Sequence, residues 1–185
     1  MENFDFNKIF NNFNLEQIEE IYLAYKGNFD YSIFSKPEYN ADQMRRIRYG
    51  LISNLDVSLY AKPEFDWRQM DEIRTGLEHG LDVSIYANPE FSSSQMVQIR
   101  YGLQKNLDVS VYAKPEFYYL QMQQIRYGLE NNVDVSIYAN FEFDCFQMQQ
   151  IRLGLQNNID VSTYAKPNIK SEDMERIRLK LENEK

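Results

Sequence analysis

Six methionines, Met44, Met70, Met96, Met122, Met148 and Met174, recur at a constant interval of 26 residues, and the rest of the sequence keeps the same step. One unit reads Gln69, Met70, Ile73, Arg74, Gly76 and Leu77, then Gly80, Leu81, Asp82, Val83, Ser84, Ile85, Tyr86 and Ala87, then Pro89, Glu90 and Phe91, and leads into Gln95 and Met96. A unit this short cannot enclose a core of its own, so each copy must lean on its neighbours. Ile18 opens a diverged first copy and Met174 a truncated last one. The expected organisation is a single helical-repeat domain over 1–185, with an N-terminal cap at 1–14, repeats over 15–170 and a truncated C-terminal repeat at 171–185.

Met70, Ile73 and Leu77 share one helical face, and Asp66, three residues before Gln69, makes a capping box. The pattern predicts a long helix in each copy, over 43–54, 69–80, 95–106, 121–132 and 147–158. Each is stopped by Gly80, or by Asn54, Asn106, Asn132 and Asn158, residue types that tolerate the left-handed conformation of a Schellman cap. Asp82 then caps a second helix of about one to two turns through Val83, Tyr86 and Ala87, which Pro89 ends. The predicted fold class is all-α, with tandem 26-residue helix-turn-helix repeats stacked as an α-solenoid.

Comparison of the copies separates scaffold from surface. Gly50, Gly76, Gly102, Gly128 and Gly154 sit inside the long helix, where glycine costs about 1 kcal/mol relative to alanine. The last copy has Lys180 there and no second helix after it, so the glycine is read as making room for that element. Arg48, Arg74, Arg100, Arg126, Arg152 and Arg178 behave oppositely: they persist to the last copy, and the first has Tyr22, which places their partner one repeat earlier. Asp30, Asp56, Asp82, Asp108, Asp134 and Asp160 each precede an arginine by 18 residues. Since a charge at the edge of a buried face needs a partner, an Arg–Asp ladder is expected, with a phosphate-reading arginine row as the alternative.

Catalysis would break the repeat with a nucleophile, a base and an orienting group, and no such break is present. His79, the single histidine, projects from the outer side of its helix. Cys145 opens a helix, a position that can lower a thiol pKa, but no histidine lies near it in sequence. The column Ser58, Ser84, Ser110, Ser136 and Ser162 occurs in every copy and suits capping. The chain is therefore expected to be non-enzymatic, with no cofactor and no metal. One cysteine fits a reducing cytoplasm. Neither a secretory leader after Met1 nor a run of about 18 apolar residues is present, so no membrane partner is expected. The net charge of -8 argues against a sequence-independent grip on phosphates.

If the repeated residues are scaffold, binding residues should vary from copy to copy and point away from the methionines. The outermost helical positions are Asp42 and Tyr49, Arg68 and Thr75, Ser94 and Tyr101, Leu120 and Tyr127, Phe146 and Leu153. The later copies thus carry an apolar strip, Tyr101, Leu120, Tyr127, Phe146 and Leu153, as the candidate partner-binding site, with burial against the second helix as the competing explanation. A second surface is the acidic column Glu38, Glu64, Glu90, Glu116 and Glu142, which could face a basic groove or simply water.

The unit QMxxIRxGLxxxLDVSxYAxPEF, as in Gln95 to Phe117, resembles helical repeats in proteins of Firmicutes plasmids, conjugative elements and prophages. Through its size, its acidity and the genomic setting which that resemblance implies, the chain is also similar to anti-CRISPR inhibitors of Cas9-type nucleases. The resemblance implies a scaffold that binds and inhibits a host-defence nuclease, and transfers no functional residue. The alternatives are a nucleic-acid-binding repeat protein and a general protein–protein adaptor.

Overall fold

The computed structural model describes residue 9 and residues 11–184, so most of the expected cap at 1–14, and Lys185 of the last repeat, lie outside the described residues. The repeats are carried by α1 (Leu15–Lys26), α2 (Ala41–Ile52), α3 (Trp67–Glu78), α4 (Ser93–Gln104), α5 (Tyr119–Glu130), α6 (Cys145–Gln156) and α7 (Ser171–Asn183), and no strand occurs among the described residues. Two compact units divide the chain, 1–96 and 97–185. In the first, α1 packs on α2 and α2 on α3; in the second, α5 packs on α6 and α6 on α7. Each unit is an all-α solenoid of stacked 26-residue repeats.

The helices begin and end about two residues before the predicted bounds, and the caps explain both shifts. Asn40, Asp66 and Asp144 accept the backbone N–H of the glutamine three residues on, whose side chain accepts theirs in return, so each helix starts immediately after its cap. At the other end Asn54 and Gly80 lie outside the helix at φ of +54° and +67°. The Leu55 N–H reaches the Gly50 carbonyl at 2.9 Å and the Asn54 N–H reaches Leu51 at 3.1 Å, the paired bonds of a Schellman cap.

The predicted second helix is present but is a single three-residue 3₁₀ turn, as at Val57–Leu59 and Val83–Ile85, and stops before the tyrosine and alanine expected within it. Asp56 caps it by accepting the Ser58 N–H at 3.1 Å and the Ser58 hydroxyl at 2.6 Å, and the same bonds recur at Ser84, Ser110 and Ser136. The turn ends at once because the tyrosine that follows it must fold back onto the preceding helix. Tyr60, Tyr86, Tyr112 and Tyr138 are fully buried, each donating its hydroxyl at 3.2 Å to a carbonyl 14 residues earlier.

That contact is what the helix glycines permit. A Cβ on Gly50 would lie 1.9 Å from the Tyr60 hydroxyl oxygen, and the other four glycines of the column meet their tyrosines at 1.9–2.0 Å. The first repeat has Ala24 in place of glycine and Phe34, which has no hydroxyl, in place of tyrosine. Beneath this seam Met44, Ile47, Met70, Ile73, Met122, Ile125, Met148 and Ile151 have no exposed surface, each contributing about 1.5–3 kcal/mol of burial. The capping glutamines tie successive repeats together: Gln69 Nε2 donates to the Pro89 and Phe91 carbonyls at 3.0 and 2.7 Å, and Gln121 to Phe143 at 2.7 Å.

Candidate interaction surface

The Arg–Asp ladder is not formed. The six aspartates are exposed and bonded to the serine N–H two residues on, at 3.0–3.1 Å. The arginines instead reach one repeat back to a residue 28 positions earlier. Arg48 Nε donates to Glu20 at 2.8 Å, Arg126 to Gln98 at 3.2 Å, Arg152 to Gln124 at 3.1 Å and Arg178 to Gln150 at 3.0 Å. The partner does lie one repeat earlier, but on the helix seam, because the aspartate's nearest donors are those of its own turn. Arg126 and Arg178 are buried and Arg48 and Arg152 half-buried, and each is held by this bond to the preceding repeat.

In the unit 1–96 one copy departs from this scheme. The residue 28 positions before Arg74 is Arg46, and Asp71 meets both cations, Arg46 at 3.2 Å and Arg74 at 2.9 Å. The first of these pairs is too misaligned for a hydrogen bond. Arg46 and Arg68 also stand 5.0 and 4.4 Å from the Trp67 ring.

In the unit 97–185 two of the five strip residues, Tyr101 and Tyr127, lie against the arginines. Phe146 is 62% exposed and Tyr101 42%, whereas Leu120, Tyr127 and Leu153 are half-buried. None is core beneath the following turn. Arg126 stands between Tyr101 and Tyr127, 5.6 and 4.7 Å from the ring centres, and Arg152 lies 5.6 Å from Tyr127. Each such contact orients a ring for about 0.5–1 kcal/mol. Phe146 also lines a shallow concavity of about 260 Å³ with Gln150, Ser171, Glu172 and Glu175.

Helical angles alone missed two aromatic residues at the N-terminal ends of α5 and α6. Tyr118 is 60% exposed, occupies the cap position filled by Asn, Asp or Ser in every other repeat but the last, which has Lys170, and makes no side-chain cap bond. Phe141 is 65% exposed where five other repeats have proline, and its ring meets Phe117 edge-on at 6.3 Å. The signal was their departure from the repeat itself. Tyr118 stacks tilted on Tyr119 at 4.6 Å.

The remaining candidates offer no reactive arrangement. His79 is exposed, with Nδ1 2.7 Å from the Thr75 carbonyl oxygen. Burial and the neighbouring Asp144 charge push the Cys145 thiol up, opposite to the direction that its helix position could supply. Glu38, Glu64 and Glu90 in the unit 1–96, and Glu116 and Glu142 in the unit 97–185, are each exposed. Among the described residues no cluster of three His, Cys, Asp or Glu could hold a metal ion, and no helix is long and apolar enough to cross a membrane. Comparison with protein-family models, curated proteins and solved structures gives no match.

Proposed function

We propose that this chain is a non-enzymatic repeat scaffold that binds a protein partner through the aromatic face of residues 97–185. The observation that carries this reading is the pair of repeat-breaking residues Tyr118 and Phe141. A tyrosine at a helix cap forfeits a bond worth about 1 kcal/mol, and phenylalanine forgoes the rigidity that proline gives the loop. Both nonetheless expose large rings in the same unit as the strip Tyr101, Leu120, Tyr127, Phe146 and Leu153. Exposed aromatic clusters within a polar surface are what protein interfaces use as anchors.

In its narrower form the partner is a nucleic-acid-binding defence nuclease that the chain inhibits, a reading supported by the sequence resemblance. Direct nucleic-acid binding is disfavoured by the engaged arginines and the net charge of -8. The test is reversion to the repeat: Tyr118→Asp restores a cap and Phe141→Pro restores the loop residue. The reverted chain should melt no lower than the parent while losing affinity for peptides selected against the parent from a displayed random library, and for a guide-loaded Cas9-type nuclease in the narrower case. Unchanged affinity for every such binder rejects the aromatic face.

A further inference from the structure

At three arginines of residues 97–185, Arg126, Arg152 and Arg178, the side chain meets the residue four positions on, and the charge of that residue differs between them. Arg126 meets the Glu130 carboxylate, and Arg178 meets Glu182 at 2.8 Å. Arg152 meets Gln156 at 2.8 Å and Gln124 at 3.1 Å, both neutral amides, with no carboxylate partner among the described residues. Burial pulls its pKa down, the expected response of a cation whose lost hydration no anion replaces. A guanidinium has five N–H donors in a planar fork. Nη2 of Arg152 makes no hydrogen bond within the protein and reaches solvent. Arg126 is flanked by two rings, whereas Arg152 has Tyr127 on one side and Leu153 where the second ring would be.

We propose that Arg152 anchors a carboxylate of the protein partner, an Asp or Glu side chain flanked by an apolar residue that packs on Tyr127 and Leu153. This rests on the protein-binding reading above. The complementarity is specific: a half-buried, forked cation with open donors beside apolar surface suits one carboxylate accepting two parallel bonds. A run of phosphates suits it less, because Glu130, Glu172, Glu175 and Glu182 in the same unit repel a polyanion.

Gln156→Glu is the decisive variant, since it supplies Arg152 with the internal carboxylate that Glu130 and Glu182 give its neighbours, at a position where glutamate is already accommodated. Peptides selected on the full-length parent chain from a displayed random library serve as probes, with oligothymidylate as the phosphate probe. The selected peptides should share an Asp or Glu. They should lose about tenfold or more in affinity on Gln156→Glu, and equally on conversion of that acid to its amide, while the variant melts at or above the parent temperature. Peptides whose binding survives both changes but falls with Phe146→Ser overturn the Arg152 anchor and leave the aromatic face standing. Failure to select any peptide overturns both. Oligothymidylate binding that disappears in Gln156→Glu overturns the carboxylate assignment in favour of phosphate.

Discussion

The Tyr86 hydroxyl occupies the volume that a side chain at position 76 would need: a Cβ on Gly76 would lie 1.9 Å from it, and the hydroxyl donates to the Glu72 carbonyl at 3.2 Å. Each repeat is thereby locked to itself by a buried tyrosine seated in the notch of its own helix. The helix loses about 1 kcal/mol of propensity at the glycine, offset by a buried hydrogen bond and the burial of an aromatic ring.

Gly76→Ala should therefore destabilise the chain by about 1–3 kcal/mol although alanine is the better helix former. Gly76→Ala combined with Tyr86→Phe, the residue pair of Ala24 and Phe34, should recover part of that loss; the remainder reflects Val83, whose Cγ1 also lies 2.8 Å from the added methyl. Urea unfolding of the two single variants and the double variant gives the coupling. Additive effects would show that the hydroxyl is not what excludes alanine.

The same tyrosines make the fold sensitive to alkali. Burial raises the Tyr60, Tyr112 and Tyr138 hydroxyls well above their ordinary 10.0, and pushes Tyr164 up to about 12. A raised folded-state pKa means that the stabilisation is complete below pH 10 and is lost as the pH climbs through the folded value. Above pH 10 the unfolded chain has released protons that the folded chain still holds, so stability should fall by about 1.4 kcal/mol per pH unit for each such tyrosine. Unfolding midpoints measured from pH 8 to 12 should be flat and then decline, with a shallower decline in Tyr112→Phe. An equal slope in that variant would remove Tyr112 from the explanation.

The helices, their caps and the role of the glycines were legible because each depends on residues within a few positions of one another: a cap and its glutamine, an asparagine at a helix end, a methionine and isoleucine on one face. The arginine partners were not, and the reason is the periodicity itself. In a perfect repeat every column stands at a constant distance from every other, so a complete set of Asp–Arg pairs at 18 residues carries no more information than the Gln/Glu–Arg set at 28. Only the breaks are informative, such as Asp71 appearing in the repeat after Arg46. Helical angles do not single out Tyr118 and Phe141, because they say nothing about a cap or a loop.

That break yields a swap experiment. Asp71→Gln should leave Arg46 and Arg74 facing each other without their shared carboxylate, at a cost of about 1 kcal/mol for a half-buried group. Arg46→Gln with Asp71→Gln installs the residue types found at Gln124 and Gln149, and should restore the parent melting temperature. A double variant less stable than Asp71→Gln alone would mean that the two positions are not compensating.

The aromatic face makes the last prediction, and it turns on the difference between the two units. Equivalent outward positions carry Asp42 and Tyr49 in α2 and Arg68 and Thr75 in α3, but Leu120 and Tyr127 in α5 and Phe146 and Leu153 in α6, so only the later repeats are apolar at both positions, which a uniform packing requirement does not account for. Phe146 is 62% exposed, and Tyr127 touches Arg126 and Arg152 only along a half-open flank. Their joint replacement by alanine should lower the melting temperature little. As exposed hot-spot rings, they should contribute about 2 kcal/mol or more to binding, read as the affinity of the parent's selected peptides. Arg68→Ala with Thr75→Ala, at the matching positions of α3, should leave that affinity unchanged. With a guide-loaded Cas9-type nuclease as partner, Tyr127→Ala with Phe146→Ala should lose suppression of DNA cleavage in step with its lost affinity. Full suppression by a variant that no longer binds the nuclease would mean that the chain acts on the DNA or the guide RNA, and the protein-binding reading would fall with it.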